Sequence, residues 1–154
     1  MSVVYSKWPT RLSQFLAWLG AIPFIVALLV SFSTVRLQYW AIIVVLMSTF
    51  SALIVTYIAG SHWGLAMQVP DKVSKKFIIS SHLLTLFAWI GILFPSWLVS
   101  WCVLLICFWA VLAIDYRFMQ LGCMTKNYLK MRFQITTVVS ACLLCMMYIG
   151  RHQL

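Results

Sequence analysis

Acidic residues are nearly absent from the chain. Asp71 and Asp115 are the only two in 154 residues, and charged residues of both signs make up just 8%. A soluble domain carries about a quarter charged residues, and this chain could not cover its apolar surface with polar groups. A soluble fold is thereby excluded, and two carboxyl groups leave little for carboxylate-based catalysis. Cysteine is present but without a framework: Cys102, Cys107, Cys123, Cys142 and Cys145 are odd in number, which argues against a disulfide scaffold. Also missing are HExxH, CxxCH, a phosphate-binding loop, a dinucleotide fingerprint and any nucleophile–base pairing. No basic-aromatic array of a nucleic-acid-binding kind occurs.

What is there is apolar, at 64% of the chain. A membrane span needs about 20 mostly apolar residues, and five segments meet that need: Leu12–Val30, Trp40–Ala59, Phe77–Phe94, Trp97–Ile114 and Phe133–Ile149. Runs such as AIIVVLM and WCVLLICFWAVLAI are apolar on every face, unlike the alternating strands of a barrel. With no water to satisfy the backbone, such runs must be helices. The fold class expected is therefore all-α: an integral membrane bundle of five transmembrane helices in one domain over residues 1–154. Segment one is expected to stay uncleaved, because it is longer than the apolar core of a signal peptide and contains Trp18 and Pro23.

Of the eleven Lys and Arg, all but Arg36 and Arg151 flank the same ends of these spans: Lys7, Arg11, Lys72, Lys75, Lys76, Arg117, Lys126, Lys130 and Arg132. The positive-inside rule then puts the N-terminus inside and the C-terminus outside. The connections over 60–76 and 115–132 would be inner, and FPSW, with Pro95, would form a tight outer hairpin. Inside means bacterial cytoplasm, or the matrix of a mitochondrion. The excess of +9 sets topology and suits anionic lipid.

This orientation gathers polar groups at one depth. His62, His82, Asp115, Tyr128, Arg132 and Thr136 all fall in an inner-leaflet layer. A carboxylate at the hydrocarbon edge is costly unless paired, and Arg132, with its planar guanidinium, is the favoured partner of Asp115. The pair either ties span four to span five or belongs to a ligand or proton-relay site. Gly60 and Gly64 have the small-xxx-small spacing of helix packing. Neither a metal nor another cofactor is expected. Cys142 and Cys145 form a CxxC, but inside an apolar segment, where packing is the simpler role.

The stretches LGAIPF (19–24), GSHWG (60–64), AIDYRF (113–118) and YLKMRFQIT (128–136) resemble the pattern of a small family of five-span membrane proteins of unknown function. Its eukaryotic relatives include mitochondrial transmembrane protein 69. The match runs through Leu19, Gly20, Pro23 and Phe24, then His62, Trp63 and Gly64, then Asp115, then Tyr128, Arg132 and Thr136. Asn127 and the proline-free third span depart from it, and His82 stands outside the pattern. The resemblance implies a bacterial inner-membrane or mitochondrial inner-membrane location, and no reaction.

The expected role is non-enzymatic: an inner-leaflet site for a lipid or quinone head group, or for a partner membrane subunit. His62, Trp63, Asp115, Tyr128 and Arg132 are the candidate binding residues, and Gly20, Pro23, Gly60 and Gly64 the candidate packing residues. The partners expected are membrane lipid and, in turn, a quinone or another membrane protein, with homo-oligomers left open and nucleic acid excluded. A small transporter or channel component is the alternative, followed by a quinone-linked thiol oxidoreductase using Cys142 and Cys145. The topology is directly testable. Alkaline phosphatase fused at the C-terminus should be active in a bacterial host, and the same reporter inserted in the 115–132 connection inactive. The reverse pattern would overturn the orientation.

Overall fold

The computed structural model describes residues 11–33 and 36–153. Lys7, one of the charges behind the expected orientation, lies outside them. Six helices follow in order: α1 (Arg11–Leu19), α2 (Ile22–Ser31), α3 (Arg36–Ala66), α4 (Asp71–Leu93), α5 (Trp97–Gln120) and α6 (Lys126–Gln153). Five stretches are long and apolar enough to cross a bilayer, with α1 and α2 together forming the first. The fold is all-helical among the described residues, as the uniformly apolar runs required.

The first span is broken where a single helix was expected. Pro23 has no amide hydrogen to offer the Leu19 carbonyl, so the ladder cannot run through. The chain turns at Gly20 and Ala21, held by Ala21 N–H to the Trp18 carbonyl at 2.9 Å, and α2 restarts with Pro23 in its first turn, where a missing donor costs nothing. Gly20 and Pro23 therefore shape a break in the first span. A Cβ at Gly20 would come within 3.3 Å of the Ala17 carbonyl oxygen, but only to 4.0 Å of Ile54 on the neighbouring helix.

The helices at the basic end run longer than the apolar segments suggested. Hydropathy marks where the hydrocarbon ends; the backbone ladder has no reason to stop there. α3 continues through GSHWG to Ala66, so Gly60 does not end it, and the connections expected over 60–76 and 115–132 shrink to residues 67–70 and 121–125. α5 stops at a Schellman motif. Gly122, at φ +76, bonds back to the Met119 carbonyl, and Cys123 to that of Phe118, at 3.1 and 3.0 Å. Three residues on, the Thr125 hydroxyl accepts from Tyr128 N–H at 3.3 Å and caps the start of α6.

α2, α3, α5 and α6 pack in a ring, each against two neighbours, and α4 fills the groove between α3 and α5. The two diagonals of the ring, α2 to α5 and α3 to α6, are too wide for backbone approach and are filled by side chains. Phe24 meets Phe108 edge-on at 6.3 Å across the first. The second is closed at the end away from the basic loops by Trp40, which forms an aromatic cluster with Trp97 and Trp101 at centroid distances of 5.4 and 6.2 Å. Trp101 is fully buried, and its indole N–H donates to the Ser48 hydroxyl at 2.9 Å, as a buried indole requires.

The close approaches are made by glycines other than those singled out from spacing. A Cβ at Gly91 on α4 would lie 3.1 Å from Val103 on α5. At Gly150 it would collide with the Trp40 ring and lie 2.7 Å from Trp97. At Gly60 and Gly64 it would meet nothing within 4 Å, so neither glycine serves packing within this chain. Gly150→Ala should therefore destabilise the bundle by about 1–3 kcal/mol through overpacking. Gly60→Ala should be neutral, or stabilise by up to about 1 kcal/mol through helix propensity. Thermal unfolding of the two variants in mild detergent checks both signs.

Candidate functional site

The inner faces of three helices converge at the basic end. On α3 the buried stripe Val55, Ile58, Ala59, His62 and Ala66 repeats every three to four residues, which makes His62 the one strongly polar member of a core face. On α5 the stripe Leu104, Phe108, Val111, Asp115 and Phe118 does the same for the carboxylate. Arg132 enters from the second turn of α6. The three side chains meet at Asp115, which is 1% exposed, with His62 at 0%.

Both carboxylate oxygens are engaged. His62 Nε2 lies 2.8 Å from Oδ1 and Arg132 Nε donates to Oδ2 at 3.1 Å. Facing a carboxylate, Nε2 must carry the hydrogen. Arg132 makes a single contact through Nε, and the other oxygen is taken by His62. Phe118 lies against the imidazole at 5.4 Å and is itself stacked on Phe77 of α4 at 4.0 Å. The imidazole is thus covered by one phenyl ring that a second one backs. His62 Nδ1, also buried, has no hydrogen-bond partner among the described residues.

The other sequence candidates divide. Tyr128 sits one helical turn before Arg132, partly buried and within electrostatic reach of Arg132, Asp115 and Tyr57. Trp63 points the other way. It stacks on His82 of α4 at 5.0 Å and 28°, on a face separate from the triad. Nearby, the Ser81 hydroxyl donates to the Ala59 carbonyl and ties α4 to α3. Cys142 is buried and Cys145 exposed, both as free thiols.

A cavity of about 430 Å³ opens beside the triad, between the end of α3 and the α5–α6 loop. Ser61, Gly64 and Leu65 line it from α3 and Gln68 from the connection after it, with Cys123, Met124, Thr125 and Tyr128 on the other side. No charged side chain lines it. Burial pushes the Cys123 thiol above its ordinary pKa, which keeps it protonated and a poor nucleophile at neutral pH. Sequence reasoning missed this cavity because it treated 115–132 as an open connection. Gly122 and Thr125, a helix stop and a helix cap three residues apart, were the signals that could have found the tight loop. Phe118 was likewise visible as the next member of the α5 stripe.

The fold and its buried polar centre define a multi-pass membrane protein: five apolar spans with a buried His–Asp–Arg cluster closing one end. Residues 9–148 match the family described as "Protein of unknown function (DUF3429)", and the chain belongs to that family. No curated protein and no solved structure matches the chain.

Removing Asp115 would strand a guanidinium in a partly dry setting. Asp115→Ala should cost about 3–5 kcal/mol of stability, as for one-sided loss of a buried ion pair. Arg132→Gln should cost less, because Asp115 keeps its His62 bond and Arg132 is the more exposed partner. Equal losses in chemical denaturation would rule out Asp115 as the shared centre.

Proposed function

We propose that the protein is a non-catalytic binding protein of a bacterial or mitochondrial inner membrane, whose cavity holds the uncharged polar head of a membrane amphiphile, a quinone above all. The basic end then faces the cytoplasm or matrix, in line with the bias of Lys and Arg towards it. The likeness to the family of mitochondrial transmembrane protein 69 supports the same membrane.

The observation that carries this reading is the cavity's lining. Its volume of about 430 Å³ falls within the 300–1,000 Å³ usual for small-molecule sites. Tyr128 supplies a hydroxyl and Ser61 an oxygen that, already donating to the Ile58 carbonyl, can still accept, with Leu65 and Met124 as apolar walls. That set suits carbonyl or hydroxyl oxygens on a flat ring better than a phosphate. The adjacent guanidinium is neutralised by Asp115, so it adds shape and rigidity more than net charge. Asp115 has both oxygens engaged and neither it nor His62 lines the cavity, which favours binding over catalysis. A second occupant, a helix of a partner subunit, is favoured by the open surface at Gly60 and Gly64 on α3.

Native mass spectrometry from nanodiscs of host membrane discriminates the two. Wild-type protein should retain a quinone-class amphiphile. Gly64→Leu, whose Cβ would meet no atom within 4 Å and whose side chain would extend into the cavity, should lose it at unchanged thermal stability. Gly60→Leu, outside the cavity lining, should keep it. Absence of any quinone-class amphiphile from wild type, or equal retention by Gly64→Leu, sinks the proposal. Loss of a copurifying polypeptide in Gly60→Leu would support the partner helix instead.

A further inference from the structure

A second and larger concavity lies on the outer surface of the bundle, well apart in chemistry from the cavity beside the triad. It is a groove of about 780 Å³ between α5 and α6. Trp109, Ala113 and Phe133 form its floor, and Arg117, Lys126 and Lys130 rim its end near the α5–α6 loop. The Trp109 and Phe133 rings meet edge to face at 6.1 Å. Ala113, a small residue between these rings and the cations, leaves the trough open.

Two features of the groove are unusual together. The first is unmatched charge. Among the described residues none of the three cations has an acidic partner, because the only ion pairs are those of Asp115 with His62 and Arg132. Arg117 merely shares a 3.4 Å contact with Gln120. Asp71 starts α4, which does not pack on α6. The second is length. From Trp109 to Gln120 the α5 wall rises about 16 Å at roughly 1.5 Å per residue, close to one leaflet of a hydrocarbon core about 30 Å thick. A groove of that total length, apolar from Trp109 to Ala113 and cationic at its mouth from Arg117 onward, matches one molecular class.

We propose that this groove seats an anionic phospholipid, with an acyl chain along Trp109, Ala113 and Phe133 and the phosphate among Arg117, Lys126 and Lys130. The charge complementarity selects an anionic over a zwitterionic head, and the apolar floor selects a lipid over free phosphate. Bound there, the lipid staples α5 to α6 across the loop that also walls the cavity.

The test uses the full chain in nanodiscs of phosphatidylglycerol and phosphatidylcholine in equal amounts, read by native mass spectrometry. Wild type should retain phosphatidylglycerol preferentially. The triple variant Arg117→Gln, Lys126→Gln, Lys130→Gln should lose the preference, by about fivefold for each charge removed. Ala113→Trp, which fills the trough, should lower retention of both lipids. Gly64→Leu should leave the preference intact. All the substituted groove residues are exposed, so thermal unfolding should show the fold preserved. Equal retention of both lipids by wild type, a preference that survives in the triple variant, or displacement of the phospholipid by excess inorganic phosphate would each overturn the assignment.

Discussion

A carboxylate sealed from water at the end of an apolar bundle must be compensated on the spot. Asp115 is that carboxylate, and most of the architecture at the basic end can be understood as its compensation. Leaving a charge unpaired in such a setting costs several kcal/mol. Its two oxygens therefore take one partner from α3 and one from α6. For His62 to reach, α3 must continue as helix past the apolar run. For Arg132 to reach, α6 must begin at Lys126 with the register that the Thr125 cap imposes. The carboxylate thereby joins two helices whose backbones do not approach each other.

The ends of the bundle solve the same geometric problem with opposite chemistry. A ring of four helices leaves a diagonal that backbone cannot span. Away from the basic loops, Trp40, Trp97 and Trp101 bridge it by bulk, and Gly150 provides the hollow that receives them. At the basic end an ion-paired cluster bridges it, capped by Phe118 and Phe77. Aromatic bulk makes a plain structural joint. A charged joint beside a cavity, with an unpartnered imidazole nitrogen, is a costlier construction, and it is where a binding role is best motivated. Both concavities flank the α5–α6 loop, so one short connection organises the neutral cavity on its inner side and the cationic groove on its outer side.

The sequence was most informative where a single physical demand dominates. Backbone satisfaction in a bilayer makes each long apolar run a helix, so the five spans and their order were legible. So was the cost of a buried acid, which pointed to Asp115 and favoured Arg132 beside it. Less legible were helix ends, because a helix continues into the interface on ordinary polar residues, as α3 does from Ser61 to Ala66. Also hidden were the glycines that matter for packing. Gly60 and Gly64 have the right spacing but face open space; Gly91 and Gly150 have no motif but lie against neighbouring side chains.

By itself the sequence determined the class of the protein: all-helical, five spans, with its basic residues concentrated at one end. These follow from composition and one-dimensional pattern, which act on each segment independently of the others. Only the tertiary structure decided that His62 and not Arg132 alone completes Asp115, that Trp63 turns away to His82, and that a neutral cavity and a cationic groove lie on either side of one loop. Such facts depend on the rotation of each helix about its axis and on which helices become neighbours. Packing settles both, and sequence spacing carries no direct record of either.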